Sequence, residues 1–123
     1  MNLDAFIIII IIILILIFKL NSNLDEQEFR KLCSDGKVEE IQKLLQNPQF
    51  NINSQNNDGE TPFYIACQNG YIEIAKLLLN DKRISIRKKT SKGKTAFDIA
   101  KINNHSEIMK LIKEFDTGNF LNN

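Results

Sequence analysis

The chemistry this chain could perform rests on few residues. His105 is the only histidine, so any catalytic triad that needs an imidazole has one candidate. Cys33 and Cys67 are the only cysteines, fewer than a small secreted disulfide scaffold carries. They stand 34 residues apart. One histidine and two distant cysteines do not make the ligand spacing of a zinc site. Thr61 and Thr95 could be nucleophiles, but each precedes a helical pattern and is better explained as an N-cap. Asp98 has no partner acid or base in view. The five glycines form neither GxGxxG nor GxxxxGK[ST], so no phosphate loop is present. Asn104-His105-Ser106 fits a glycosylation sequon, which matters only if it faces a lumen. His105 is expected in a solvated turn, and both cysteines as buried reduced thiols. No catalytic residue, cofactor or metal is expected.

The elements that carry these residues repeat. With an offset of 34, Gly59, Thr61, Phe63, Ile65 and Ala66 recur as Gly93, Thr95, Phe97, Ile99 and Ala100. Glu73, Ile74, Lys76 and Leu77 recur as Glu107, Ile108, Lys110 and Leu111. The same offset carries Gly70, Cys67 and Leu78-Leu79 back onto Gly36, Cys33 and Leu44-Leu45. A fixed period of this length signals stacked supersecondary units. Asp58-Gly59 reads as a turn, Thr61-Pro62 as a helix start, and Gly70 as the left-handed end of that short helix. A second helix follows in YIEIAKLLLN, then an extended charged stretch with Ile84 and Ile86. Helices this short cannot bury their apolar faces alone, so the units must stack.

The segment DGETPFYIACQNGYIEIAKLLLN closely resembles the ankyrin repeat. GKTAFDIAKINNHSEIMKLIKEF resembles a terminal repeat of that family and LCSDGKVEEIQKLLQNPQFNINSQNN an N-terminal one. The resemblance runs from about Leu24 to Phe115. It implies an all-α fold: an ankyrin-repeat helical solenoid of about three helix-turn-helix units with connecting hairpin loops, here preceded by a hydrophobic N-terminal helix. Where the family has TPLH, this chain has Thr61-Pro62-Phe63-Tyr64 and Thr95-Ala96-Phe97-Asp98. The hydrogen bonds of the missing histidine must be replaced or lost. Three units is near the minimum, so the resemblance also implies marginal stability.

The expected divisions are a hydrophobic segment at 1–20, a linker at 21–24, a repeat domain at 25–115 (units 25–57, 58–91 and 92–115) and a polar tail at 116–123. Asp25, with Glu28 three residues on, is expected to cap the first repeat helix. Residues 5–18 are apolar without a break. As a helix, residues 3–20 span about 27 Å, against a hydrocarbon core of about 30 Å. Three readings stand open: a membrane anchor, a cleaved signal peptide, and a mis-started reading frame in an AT-rich gene. As an anchor, the run is followed by Lys19, Arg30, Lys31 and Lys37, which places the repeats in the cytosol. Under the other two readings the chain is soluble in the cytoplasm.

The function expected from the resemblance is a protein–protein interaction module, scaffold or adaptor; the anchor reading of the apolar run adds a membrane tether through residues 3–20. The alternatives are a fragment of a longer array whose function lies elsewhere, and a basic finger that binds anionic lipid or an acidic partner. In the family, partners meet the loop tips and the exposed face of the first helices. These are Asn56, Asn57, Asp58 and Glu60 on one tip, and Ser91, Lys92 and Lys94 on the next. Tyr64, Gln68, Asp98, Lys101 and Ile102 are the helix candidates. Lys88 and Lys89 come from charge instead: with Lys82, Arg83, Arg87, Lys92 and Lys94 they crowd into 13 residues that hold no acid. The net charge of +1 exerts no global pull on nucleic acid. No aromatic interleaves with the cluster for stacking, so no nucleic-acid partner is expected. The partner is a protein, and the chain is expected to be a monomer.

Overall fold

In the computed structural model, which describes residues 2–118, six helices carry the chain and no strand occurs among those residues. They are α1 (Leu3–Asp35), α2 (Val38–Leu45), α3 (Pro62–Asn69), α4 (Ile72–Leu79), α5 (Ala96–Ile102) and α6 (Ser106–Asp116). They form three helix-turn-helix pairs. The inner helices α1, α3 and α5 pack side by side, and the outer helices α2, α4 and α6 pack behind them.

The period of 34 is a packing period. Phe29 and Phe63 occupy equivalent places in α1 and α3 and are fully buried. Phe97 follows them in α5, half-covered, with the Lys113 ammonium 5.6 Å from its ring centroid. Ala66, Cys67 and Ala100, all fully buried, let the inner helices approach closely, and Ile41, Ile74 and Ile108 seal the outer row. Burying side chains of this size stabilises the fold by roughly 1.5–3 kcal/mol each.

The helix starts follow the sequence. Thr61 Oγ1 accepts from the Tyr64 N–H at 3.1 Å, with Pro62 at the first helical position. Thr95 Oγ1 accepts from the Asp98 N–H at 3.2 Å, and Asp98 Oδ2 accepts from the Thr95 N–H at 2.9 Å, a reciprocal capping box. Asp98 at the missing histidine's position thus supplies a bond of its own. The inner helices of the first two units end on left-handed Gly36 and Gly70; in the third, Asn104 adopts the same conformation at φ 61°. Asn is the residue type other than Gly that does so most readily.

The N-terminal region departs from expectation. Residues 21–24 are not a linker but lie inside α1, and Asp25 caps no helix. The cap is Asn2, whose Oδ1 accepts from the Ala5 N–H at 2.8 Å. The cause is physical. Asn21-Ser22-Asn23 contains no Gly or Pro, and each residue costs only about 0.7 kcal/mol or less in a helix. Continuing a helix is cheaper than ending one and nucleating another. The first unit therefore has no hairpin loop before it, and its inner helix is the last part of a rod about 50 Å long. The tail expected at 116–123 begins with the last residue of α6 and a turn at Thr117-Gly118; its remainder lies outside the described residues.

Candidate binding groove

Two finger-like loops precede α3 and α5. In the first, the Asn56 N–H donates to Glu60 O at 3.0 Å; in the second, the Thr90 N–H donates to Lys94 O at 2.9 Å. Asn56 organises its own tip: Oδ1 accepts from the N–H of Asp58 and of Glu60, and Nδ2 donates to Glu60 Oε1. The fingers are also joined to each other. Ser91 donates to Asp58 O through its N–H at 2.9 Å and its hydroxyl at 3.1 Å, and Gln55 Nε2 donates to Lys89 O at 3.1 Å. Gly59 makes this approach feasible, because a Cβ there would lie 2.9 Å from Thr90 Cα and from Ser91 N.

Between the joined fingers and the inner helices runs a groove of about 390 Å³. Asp58 and Glu60 line it from the first finger, and Ser91, Lys92 and Lys94 from the second. Tyr64 and Gln68 line it from α3, and Ile99 and Ile102 from α5. Ile102 is 58% exposed, a large apolar side chain open to solvent. Burial first, then the carboxylates of Glu60 and Asp98, push the Tyr64 phenol up, so it stays a neutral group. The groove therefore has an apolar floor between an acidic wall and a basic one.

Eight residues singled out from the sequence meet here: Asp58, Glu60, Tyr64, Gln68, Ser91, Lys92, Lys94 and Ile102. Six do not line it. Asn56 and Asn57 lie in a separate polar hollow with Glu26, Gln27 and Arg30 of α1. Lys88 and Lys89 stand exposed on the loop ahead of the second tip, and Lys101 is exposed on α5. Asp98 is committed to Thr95; that backbone bond holds its carboxyl below the usual range, aided by Lys94 and Lys89. Thr90 and Ile99 were not singled out. The repeat equates Ile99 with Ile65 and so hides it: Ile65 is buried between neighbours, whereas Ile99 in the last unit is only half-covered.

Two further readings change. His105 is not a solvated loop residue: its ring packs against Gly70, and its Nε2 lies 3.1 Å from Gln68 O. The basic cluster is also less free than its sequence suggests. Arg83 pairs with Asp81 at 2.7 Å and Arg87 with Asp116 at 3.1 Å, acids that lie outside the 13-residue window. Both cysteines are free and buried; burial pushes the Cys33 thiol up to about 12 and raises Cys67 in the same way, so both stay protonated. Among the described residues, no group of three or more His, Cys, Asp or Glu side chains could hold a metal ion.

A family model described as "Ankyrin repeats (3 copies)" matches residues 30–120. No curated protein matches the chain in sequence. A solved structure of a predatory endopeptidase from Bdellovibrio bacteriovorus in complex with an immunity protein contains a similar chain, with a TM-score of 0.65 and 24% identity. That similarity covers 71% of this chain and 45% of the other, so this chain spans less than half of it, and at this identity the likeness is one of fold.

Proposed function

Because the chain belongs to the ankyrin-repeat family, we propose that it is a protein-binding module and not an enzyme, with its partner seated in the groove between the fingers and helices α3 and α5. The groove's composition carries this reading: an open apolar floor at Ile99 and Ile102 between charged walls of opposite sign. Interfaces place apolar anchors at the centre and polar groups at the rim. The fingers that form the walls are bonded to each other before any partner arrives, so little ordering is needed on binding. The test is a photo-crosslinking side chain at Lys101, beside the groove, in the full chain in its native cell. Ile102→Glu should cut adduct formation about tenfold, equivalent to about 1.4 kcal/mol, at unchanged thermal unfolding. Adducts that form equally from Lys76 on the outer helix, or that persist in Ile102→Glu, would remove the groove from consideration.

We further infer that the start of α1 is a membrane anchor with the repeats on the cytosolic side. This helix is long and apolar enough to cross a bilayer. From Phe6 to Phe18 every side chain is at least 40% exposed, around the whole circumference of the helix. A helix that is apolar all round needs an apolar surrounding, and the solenoid does not supply one. Alkaline carbonate washing of membranes provides the test: an anchored chain stays in the pellet, and release of the intact chain would rule anchoring out.

A further inference from the structure

α1 serves two environments along one axis. Its first turns carry the exposed apolar run, and its last turns place Phe29 and Cys33 in the core. No Gly or Pro interrupts it. The anchor and the solenoid therefore share a rod, and the rod sets which end of the solenoid lies nearer the bilayer.

The loops lie at the apolar end. Phe18, Asn21 and Asp25 of α1 border one hollow with Asn47 and Phe50 of the first interunit loop. The next loop stacks on that one: Arg83 Nη1 donates to Asn47 O at 2.8 Å and to Phe50 O at 3.1 Å. The turns at Gly36, Gly70 and Asn104 sit at the opposite end of the inner helices. From Phe18 to Asp25 the axis rises about 10 Å. The loop layer thus begins at headgroup depth, within about one Debye length (~8 Å) of the lipid charges.

Charge is unevenly spread over this layer. Near the rod the balance is negative: Asp25, Glu26 and Glu28 on α1 and Asp58 and Glu60 on the first finger outnumber Lys19 and Arg30. On the far side Lys82, Lys88, Lys89, Lys92 and Lys94 are all exposed. Arg83 and Arg87 are already paired. Asp98, the carboxylate that Lys89 and Lys94 act on, is bonded to Thr95.

We propose that, with α1 inserted, the 82–94 loop rests on anionic phospholipid headgroups and forms a second membrane contact that sets the tilt of the solenoid. The proposal rests on the anchor reading above. Anionic lipid is favoured over an acidic protein because the rod itself delivers these lysines to the interface. The acidic side next to the rod is repelled while the lysine side is drawn down, so the tilt depends on lipid charge. Each lysine near an anionic surface strengthens the contact about fivefold.

The test uses the full chain reconstituted in vesicles of phosphatidylcholine alone and of phosphatidylcholine with phosphatidylserine. A fluorophore is placed at Ser91→Cys, the native cysteines being buried, and a quencher is attached to the headgroups. Quenching should be stronger in the anionic vesicles, and should fall to the neutral level at high salt and in Lys88→Glu/Lys89→Glu. A label at Glu73→Cys, near the opposite end, should not respond. Equal quenching in both vesicle types, or indifference to the charge reversal, overturns the proposal. If carbonate extracts the chain, the anchor reading fails and takes this proposal with it; a chain that resists carbonate without lipid-dependent quenching overturns this proposal alone. If the charge reversal abolishes the Lys101 adduct and leaves quenching unchanged, the lysines serve an acidic protein and the lipid contact is refuted.

Discussion

Arg83 shows how far one side chain's role can depart from its sequence neighbourhood. Within a run of basic residues it looks like part of a solvated patch. In the fold its guanidinium donates to Leu45 O, Asn47 O and Phe50 O while pairing with Asp81, so it satisfies backbone carbonyls at the end of α2 and just beyond it. Arg83→Ala should lower stability by about 2–3 kcal/mol, as removal of a charged donor does. It should appear as a lower urea midpoint. Arg83→Lys should recover little, because one ammonium cannot span the three carbonyls. Gly70 offers a second test. Its φ is 74°, and a Cβ there would lie 2.6 Å from His105 Cε1. Gly70→Ala should cost more than Gly93→Ala, which has a φ of 76° but no atom within 4 Å of the new Cβ and so bears only the backbone cost of about 1–2 kcal/mol. Adding His105→Ala to Gly70→Ala should return the excess, a coupling that a double-mutant cycle in urea measures.

At the scale of elements, the solenoid is pinned by caps and loop ties whose carboxylates titrate. The Thr95 N–H holds Asp98 low, and the Arg83 side chain holds Asp81 low. A depressed folded value contributes stability that is fully present above the ordinary aspartate value of about 3.9 and is lost as pH falls through the folded value. The melting temperature should therefore drop on acidification from about pH 5 to about pH 3, and the drop should be shallower in Asp81→Asn/Asp98→Asn. An equally steep drop in that variant would show that other groups carry the acid sensitivity. The same scale explains why the helix runs through the boundary expected at 21–24. Polar composition marks a change of solvent along the chain, whereas a helix ends only where an alternative to the next backbone bond is cheaper. Asn21-Ser22-Asn23 offers none, with Leu, Glu and Gln following.

For the whole molecule, three units and a thin core predict marginal stability. Phe97 and Ile99 are only half-covered where Phe63 and Ile65 are buried. A variant starting at Ser22 should be soluble and monomeric and should unfold cooperatively at a lower urea midpoint than longer arrays of the family; a midpoint matching those arrays would refute this. The full chain should need detergent.

Much of this protein is determined locally and was legible in the residues. The period of 34, the Thr61 and Thr95 caps, Pro62 and Gly70 each follow from short-range backbone preferences, and together they specify the three stacked pairs. Eight of the groove residues were recoverable because the family resemblance says which face of such a unit is open. What only the tertiary structure decided depends on groups far apart in sequence. Arg83 is spent on the carbonyls of Leu45, Asn47 and Phe50 and Arg87 on Asp116, and His105 lies on Gly70. Ile99 is left open where Ile65 is closed. The unbroken α1 also joins an apolar run to a repeat, because chain continuation there cost less than a break. A charge or an apolar side chain is free only when nothing packs against it, and that is settled by neighbours 30 residues away that no local pattern contains.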